Sequence, residues 1–137
     1  MRAIVLAAAT MALGAILLRA ETQDPSHASN WMAPASEAAK VNPLAGQSEA
    51  AAGGSKLFQE RCSTCHGDDA KGTPRAPGLT KTSVQNQTDG ALFWKISSGN
   101  TRAGMPPFSF LPRVQRWQLV LFLRTRGHAA HAANGNR

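Results

Sequence analysis

Only 2 cysteines occur among the 137 residues, and they stand three positions apart, Cys62 and Cys65. A multi-disulfide framework is therefore excluded, and a small core must be stapled by something else. Acidic residues are scarce, 8 against 15 Lys and Arg, and none follows Asp89. No strand-like alternation and no internal repeat is visible, so the periodic stretches favour helices over sheets or solenoids. One long apolar run exists, Ala3 to Leu18, and it is short for a full membrane span.

That run follows Arg2 and ends at Ala20 before a polar stretch, the pattern of an export signal. Residues 1–20 are read as a signal peptide, with an uncleaved membrane anchor as the second reading because Leu18 is not the preferred small residue. The protein is thus expected to be periplasmic or otherwise extracytoplasmic, with membrane association through this segment. Residues 21–47 are rich in Ala, Ser, Pro, Asn and Gln and read as a flexible or wrapping segment. Trp31 and Met32 are its apolar exceptions, expected to dock on the domain surface. The compact part is residues 48–127, followed by a disordered tail, 128–137.

The two cysteines and the next residue form Cys62-Ser63-Thr64-Cys65-His66. If these residues join the end of one helical turn to the start of another, the two sulfurs lie about one turn apart on one face. C-x-x-C-H is the attachment signature of c-type haem. Each thiol can bond one vinyl-derived carbon, and His66 can bind iron from below. Two other chemistries use such cysteines. A thiol-disulfide pair normally caps a helix after a strand, whereas Gly54 to Arg61 reads as helix. A zinc site could recruit His128 and His131, but these lie in an Ala-, Gly- and Asn-rich tail far from the pair. A domain of about eighty residues gains its missing centre if short helices pack around an apolar prosthetic group.

A first helix is predicted over about Ser48 to Arg61, with Leu57 and Phe58 on its buried stripe. Gly53 and Gly54 cost a helix about 1 kcal/mol each relative to alanine, which predicts another helix crossing closely there. Residues 67–87 read as loop. Thr88 or Asp89 can cap a second helix, Gly90 to Ser98, with Leu92, Phe93 and Ile96 inward and Gly99 as its end; Trp94 lies off that face. A third helix is predicted from about Pro112 to Arg126, apolar on more than half its circumference through Val114, Trp117, Leu119, Leu121, Phe122 and Leu123. Between the last two helices stands Met105, the only methionine after the motif, in a loop stiffened by Pro106 and Pro107. An isolated Met would be read as core filler; beside a C-x-x-C-H it becomes a candidate iron ligand.

In combination these elements resemble a small class I cytochrome c of the mono-haem, bacterial periplasmic type, over residues 42–126. Gly54 and Phe58, Cys62 to Gly67, Pro77 and Leu79, Met105 before a proline and the closing Trp117 to Arg124 helix occur in that family's order. The resemblance implies an all-α cytochrome c fold of three to five short helices around one covalently attached haem c. It implies Cys62 and Cys65 as thioether donors, His66 as proximal and Met105 as distal ligand. The Pro77 carbonyl would accept a hydrogen bond from His66, and Leu79 and Trp94 would belong to the haem environment. Gly78 departs from the family, where bulkier residues are usual, and Lys81, Arg102 and Trp94 are the candidate propionate partners.

With both axial positions filled, Fe(III)/Fe(II) cycling is the available chemistry. The expected function is a mono-haem electron carrier with no enzymatic activity. The alternatives are an electron-relay haem subunit of a larger periplasmic dehydrogenase or oxidase complex, a five-coordinate sensor or enzyme if Met105 does not bind, and a haem-free thiol oxidoreductase. The basic stretch after Asp89, with Lys95, Arg102, Arg113, Arg116, Arg124, Arg126 and Arg137, predicts redox partner proteins with an acidic docking surface. The export signal argues against nucleic acid as the partner.

Overall fold

The computed structural model describes residues 31–134, so the segment read as an export signal lies outside the described residues. Three longer helices carry the fold, α2 (Ala50–Arg61), α5 (Asp89–Ser98) and α6 (Arg113–Asn134). Single-turn helices α1 (Ala35–Ala38), α3 (Ser63–His66) and α4 (Thr82–Gln85) connect them. A two-residue antiparallel hairpin, β1 (Gly72–Thr73) and β2 (Ala76–Pro77), is paired Gly72 to Pro77 and Thr73 to Ala76. Residues 67–87, expected as loop, therefore hold a small hairpin and a helical turn.

Helices α2 and α6 form the principal crossing. A Cβ on Gly54 would stand 2.0 Å from the Gln118 carbonyl oxygen and 2.9 Å from Phe122 Cβ, so only glycine lets the two backbones approach this closely. Phe58, one turn on, is fully buried and meets Phe122 with ring centroids 5.2 Å apart. Burying a ring of this size contributes about 2–3 kcal/mol. With Ala70, Phe108, Leu111, Leu119 and Leu123 these rings make one core cluster. A second cluster, Leu92, Phe93, Trp117 and Val120, joins α5 to α6, where Phe93 and Trp117 stack at 4.0 Å.

Helix α5 starts where Thr88 was expected to cap it. The Thr88 hydroxyl accepts from the Ala91 amide at 3.2 Å and donates to the Ala38 carbonyl at 2.6 Å. One side chain thus satisfies an orphan helix donor and ties the N-terminal wrap to α5. The wrap is also fastened by buried Asn42, whose Nδ2 donates to the Trp117 carbonyl at 3.2 Å. Trp31 docks as expected, whereas Met32 is 73% exposed.

Two expectations about the last helix need correction. It does not stop near Arg126 but continues to Asn134, so residues 128–134 are helical rather than a disordered tail. The Ala-rich composition that resembled a tail also carries the highest helix propensity, and buried Gly127 packs against the Gln85 side chain. Val114, expected on the buried face, is 51% exposed at the helix start.

Candidate functional site

The C-x-x-C-H stretch lies at a break between two helices. Cys62 ends α2 with φ −123° and ψ −33°, its amide bonded to the Phe58 carbonyl at 2.8 Å. Its own carbonyl then accepts from both Cys65 and His66, at 3.2 and 3.0 Å, opening α3. Both thiols are free, Cys62 half-buried and Cys65 exposed. Burial, and secondarily the neighbouring Cys65, pushes the Cys62 thiol up to about 11.

His66 is oriented by the hairpin. Its Nδ1 lies 2.8 Å from the Pro77 carbonyl oxygen, and a carbonyl can only accept, so Nδ1 carries the proton. In the neutral ring this arrangement leaves Nε2 its lone pair, the tautomer that metal-ligating imidazoles adopt. The hairpin is pinned to the same turn, because Thr73 Oγ1 donates to the Cys65 carbonyl at 2.5 Å and accepts from the Arg75 amide at 3.1 Å. Gly78, the departure noted in the sequence, has a local cause: a Cβ there would meet the Lys71 carbonyl oxygen at 2.3 Å. Neither Thr73 nor the hairpin was singled out from the sequence, since two-residue strands leave no alternation to read.

Met105 arrives from the other half of the chain. It forms an isolated bridge with Asn100, each amide donating to the other's carbonyl at 2.9 and 3.0 Å. Its half-buried side chain packs against the first core cluster, as do Leu57, Cys62, Leu79 and Ile96. These five partly covered apolar residues are drawn from separate parts of the chain and converge on one core cluster. Trp94 is half-buried on α5 and belongs to neither cluster.

The donor set suits haem: two free thiols, one imidazole oriented through Nδ1, and a half-buried thioether. It does not suit zinc. Among the described residues no three His, Cys, Asp or Glu side chains gather around a point, although His128 and His131 are both described.

The basic stretch is spent differently from the expectation. Arg124 forms an ion pair with Asp89 at 2.8 Å and donates to the Gln85 and Gln87 carbonyls at 2.6 and 2.5 Å. Arg116 donates to the Leu111 carbonyl at 3.2 Å and to Ser97, and covers the Phe93 ring at 4.7 Å. Arg126 reaches the Asp69 carbonyl at 3.2 Å, and Lys95 lies over Trp31 at 4.7 Å. These four cations brace the fold, while Arg102 and Arg113 are exposed.

A mostly helical chain with an oriented imidazole, two free thiols and a half-buried methionine has the donor set of a class I c-type cytochrome. The comparisons make this specific. Residues 49–123 match the family described as cytochrome c oxidase, cbb3-type, subunit III, and the chain belongs to it. It is also similar to the cbb3-type cytochrome c oxidase subunit FixP of Bradyrhizobium sp. (strain ORS 278), 45% identical over 60 residues. That stretch is 42% of this chain and 20% of FixP, so the chain spans about a fifth of the curated relative's length. The domain is accordingly a haem c, iron-binding domain of the electron-transport class.

Proposed function

We propose that this chain is an electron-relay haem unit of a cbb3-type oxidase complex and carries one covalently attached haem c. The match to an oxidase subunit family and the similarity to FixP support this reading over the freely diffusing carrier that the sequence first suggested. The observation that carries the haem assignment is the His66 to Pro77 hydrogen bond of 2.8 Å beside two free thiols.

Cys62 and Cys65 would hold the haem through thioethers, and His66 Nε2 and the Met105 thioether would ligate its iron. When bound, the haem supplies one-electron Fe(III)/Fe(II) exchange. Pro77 keeps the imidazole in register and raises its basicity through the shared proton. Leu79 belongs to the apolar wall, which excludes water and disfavours extra charge, and Trp94 stands at its periphery. With His66 and Met105 both engaged there is no position for substrate, so the chain passes electrons and catalyses no reaction itself. Its partners are redox proteins of the complex; a basic docking surface draws on Arg102 and the exposed lysines, since four of the later cations are already engaged. A location outside the cytoplasm is supported by the reading of residues 1–20 as a cleaved signal or an anchor.

Two measurements test the reading. The reduced protein in alkaline pyridine should show a c-type haem spectrum at one haem per chain; no such spectrum would sink the haem assignment. Native protein extracted in mild detergent should co-migrate with terminal oxidase activity. A soluble species separate from that activity would restore the diffusing carrier.

A further inference from the structure

Trp31 stands ahead of the matched segment 49–123, yet it reaches the loop that bears Met105. Its Nε1 donates to the Gly99 carbonyl oxygen at 2.9 Å, across 68 positions of sequence. The ring is steadied by Lys95, whose Nζ lies 4.7 Å from the ring centroid. Gly99 ends α5 with φ +64° and runs so close to Pro106 that a Cβ would sit 2.5 Å from its carbonyl carbon. The following residue, Asn100, exchanges both backbone hydrogen bonds with Met105.

The link between these contacts is a single peptide plane. The Gly99 carbonyl and the Asn100 amide belong to one rigid planar unit. Holding the carbonyl against the indole therefore fixes the direction of the N–H that donates to the Met105 carbonyl. Elsewhere the N-terminal wrap is fastened at α1 by Thr88 and at Asn42 by Trp117.

We propose that Trp31 is a positioning residue for Met105, acting through the Gly99–Asn100 peptide; this rests on Met105 being the distal ligand. Loss of the indole N–H frees that peptide to rotate and lets Met105 leave its place more often. The wrap ahead of the family domain thereby sets how firmly the sixth position is closed.

The test uses the haem-loaded protein and three variants, Trp31→Phe, Trp31→Ala and Met105→Ala. Trp31→Phe keeps a ring beneath Lys95 and removes only the donor. Amide hydrogen exchange at Asn100 and Met105 should quicken about two- to twelvefold in Trp31→Phe, the range one net hydrogen bond implies, with Phe58 and Phe122 amides unchanged. Carbon monoxide binding to the ferrous protein should accelerate by a similar factor, short of the rate in Met105→Ala. Unchanged exchange at both loop amides overturns the proposal. So does faster exchange without faster carbon monoxide binding, or an effect confined to Trp31→Ala, which would mean ring packing alone. If Met105→Ala itself binds carbon monoxide no faster than the parent, the ligation reading fails and this proposal falls with it.

Discussion

Replacing Gly54 with alanine should weaken the protein even though alanine is the better helix former. The new Cβ would lie 2.0 Å from the Gln118 carbonyl oxygen, where ordinary contact begins at 3.4 Å. Helix α6 must therefore retreat by about 1.4 Å, the gap between 2.0 and 3.4 Å, since the obstacle is backbone. That retreat withdraws Phe122 and Leu123 from the cluster they share with Phe58. Overpacking of this kind costs about 1–3 kcal/mol, occasionally more, while the change of propensity returns about 1 kcal/mol. Because the obstacle is rigid and α6 carries much of the core, the upper part of that range applies, leaving a net loss of about 2 kcal/mol. For a domain of this size that is a fall in Tm of roughly 10 °C. Gly53→Ala is the internal control. Its Cβ would meet only the Gln118 side-chain amide, at 2.8 Å, and that amide can swing away. It should therefore be neutral or gain up to about 1 kcal/mol. Thermal melts of both variants in the same oxidation state, followed by circular dichroism, decide the matter. A Gly54→Ala protein as stable as its parent would refute the close-crossing argument, and so would equal losses in both variants.

Arg124→Met should cost about 2 kcal/mol in urea unfolding, because it strands the Asp89 carboxylate and two loop carbonyls; a loss below 0.5 kcal/mol, the ordinary range for surface changes of roughly ±0.5, would mean the network is ornamental. Thr88→Ala removes a helix cap and the bond to Ala38 and should lower stability by about 1 kcal/mol, with faster amide exchange at Ala91 as its local sign. Met105→Ala should lower the reduction potential and open the iron to cyanide or carbon monoxide; unchanged potential and ligand binding would remove Met105 from the sixth position. Thr73→Val loosens the hairpin from the Cys65 carbonyl and should cost about 1 kcal/mol. It should also shift the imidazole resonances of His66 in NMR, and invariant resonances would show that the hairpin holds Pro77 without this bond.

Local features were legible where local chemistry dictates them. Two thiols and an imidazole within five residues can be recognised without a fold, because the spacing alone sets their relation on a helical turn. Thr88 was readable as a cap, and the pair Gly53 and Gly54 as the mark of a crossing helix, because each has a cost or a benefit that its neighbours explain. The hairpin over residues 72–77 was not readable, since its strands are too short to carry a period. The helical end of α6 was misjudged because Ala, Gly and Asn suggest a tail when no partner surface is known, and the contact of Gly127 with Gln85 is a tertiary fact.

The basic stretch marks the same boundary. By sequence alone, the absence of acids after Asp89 established an excess of positive charge, and the Cys62 to His66 motif pointed to haem chemistry, with Met105 as a candidate ligand. Whether a given cation faces solvent or bends inward depends on which carbonyls and rings the fold brings near it. Only the tertiary structure assigned Arg124 to Asp89 and Arg116 to Leu111, and only it brought Trp31 to Gly99. Composition fixes how many charges and donors a chain has; their partners are set by the packing of helices distant in sequence.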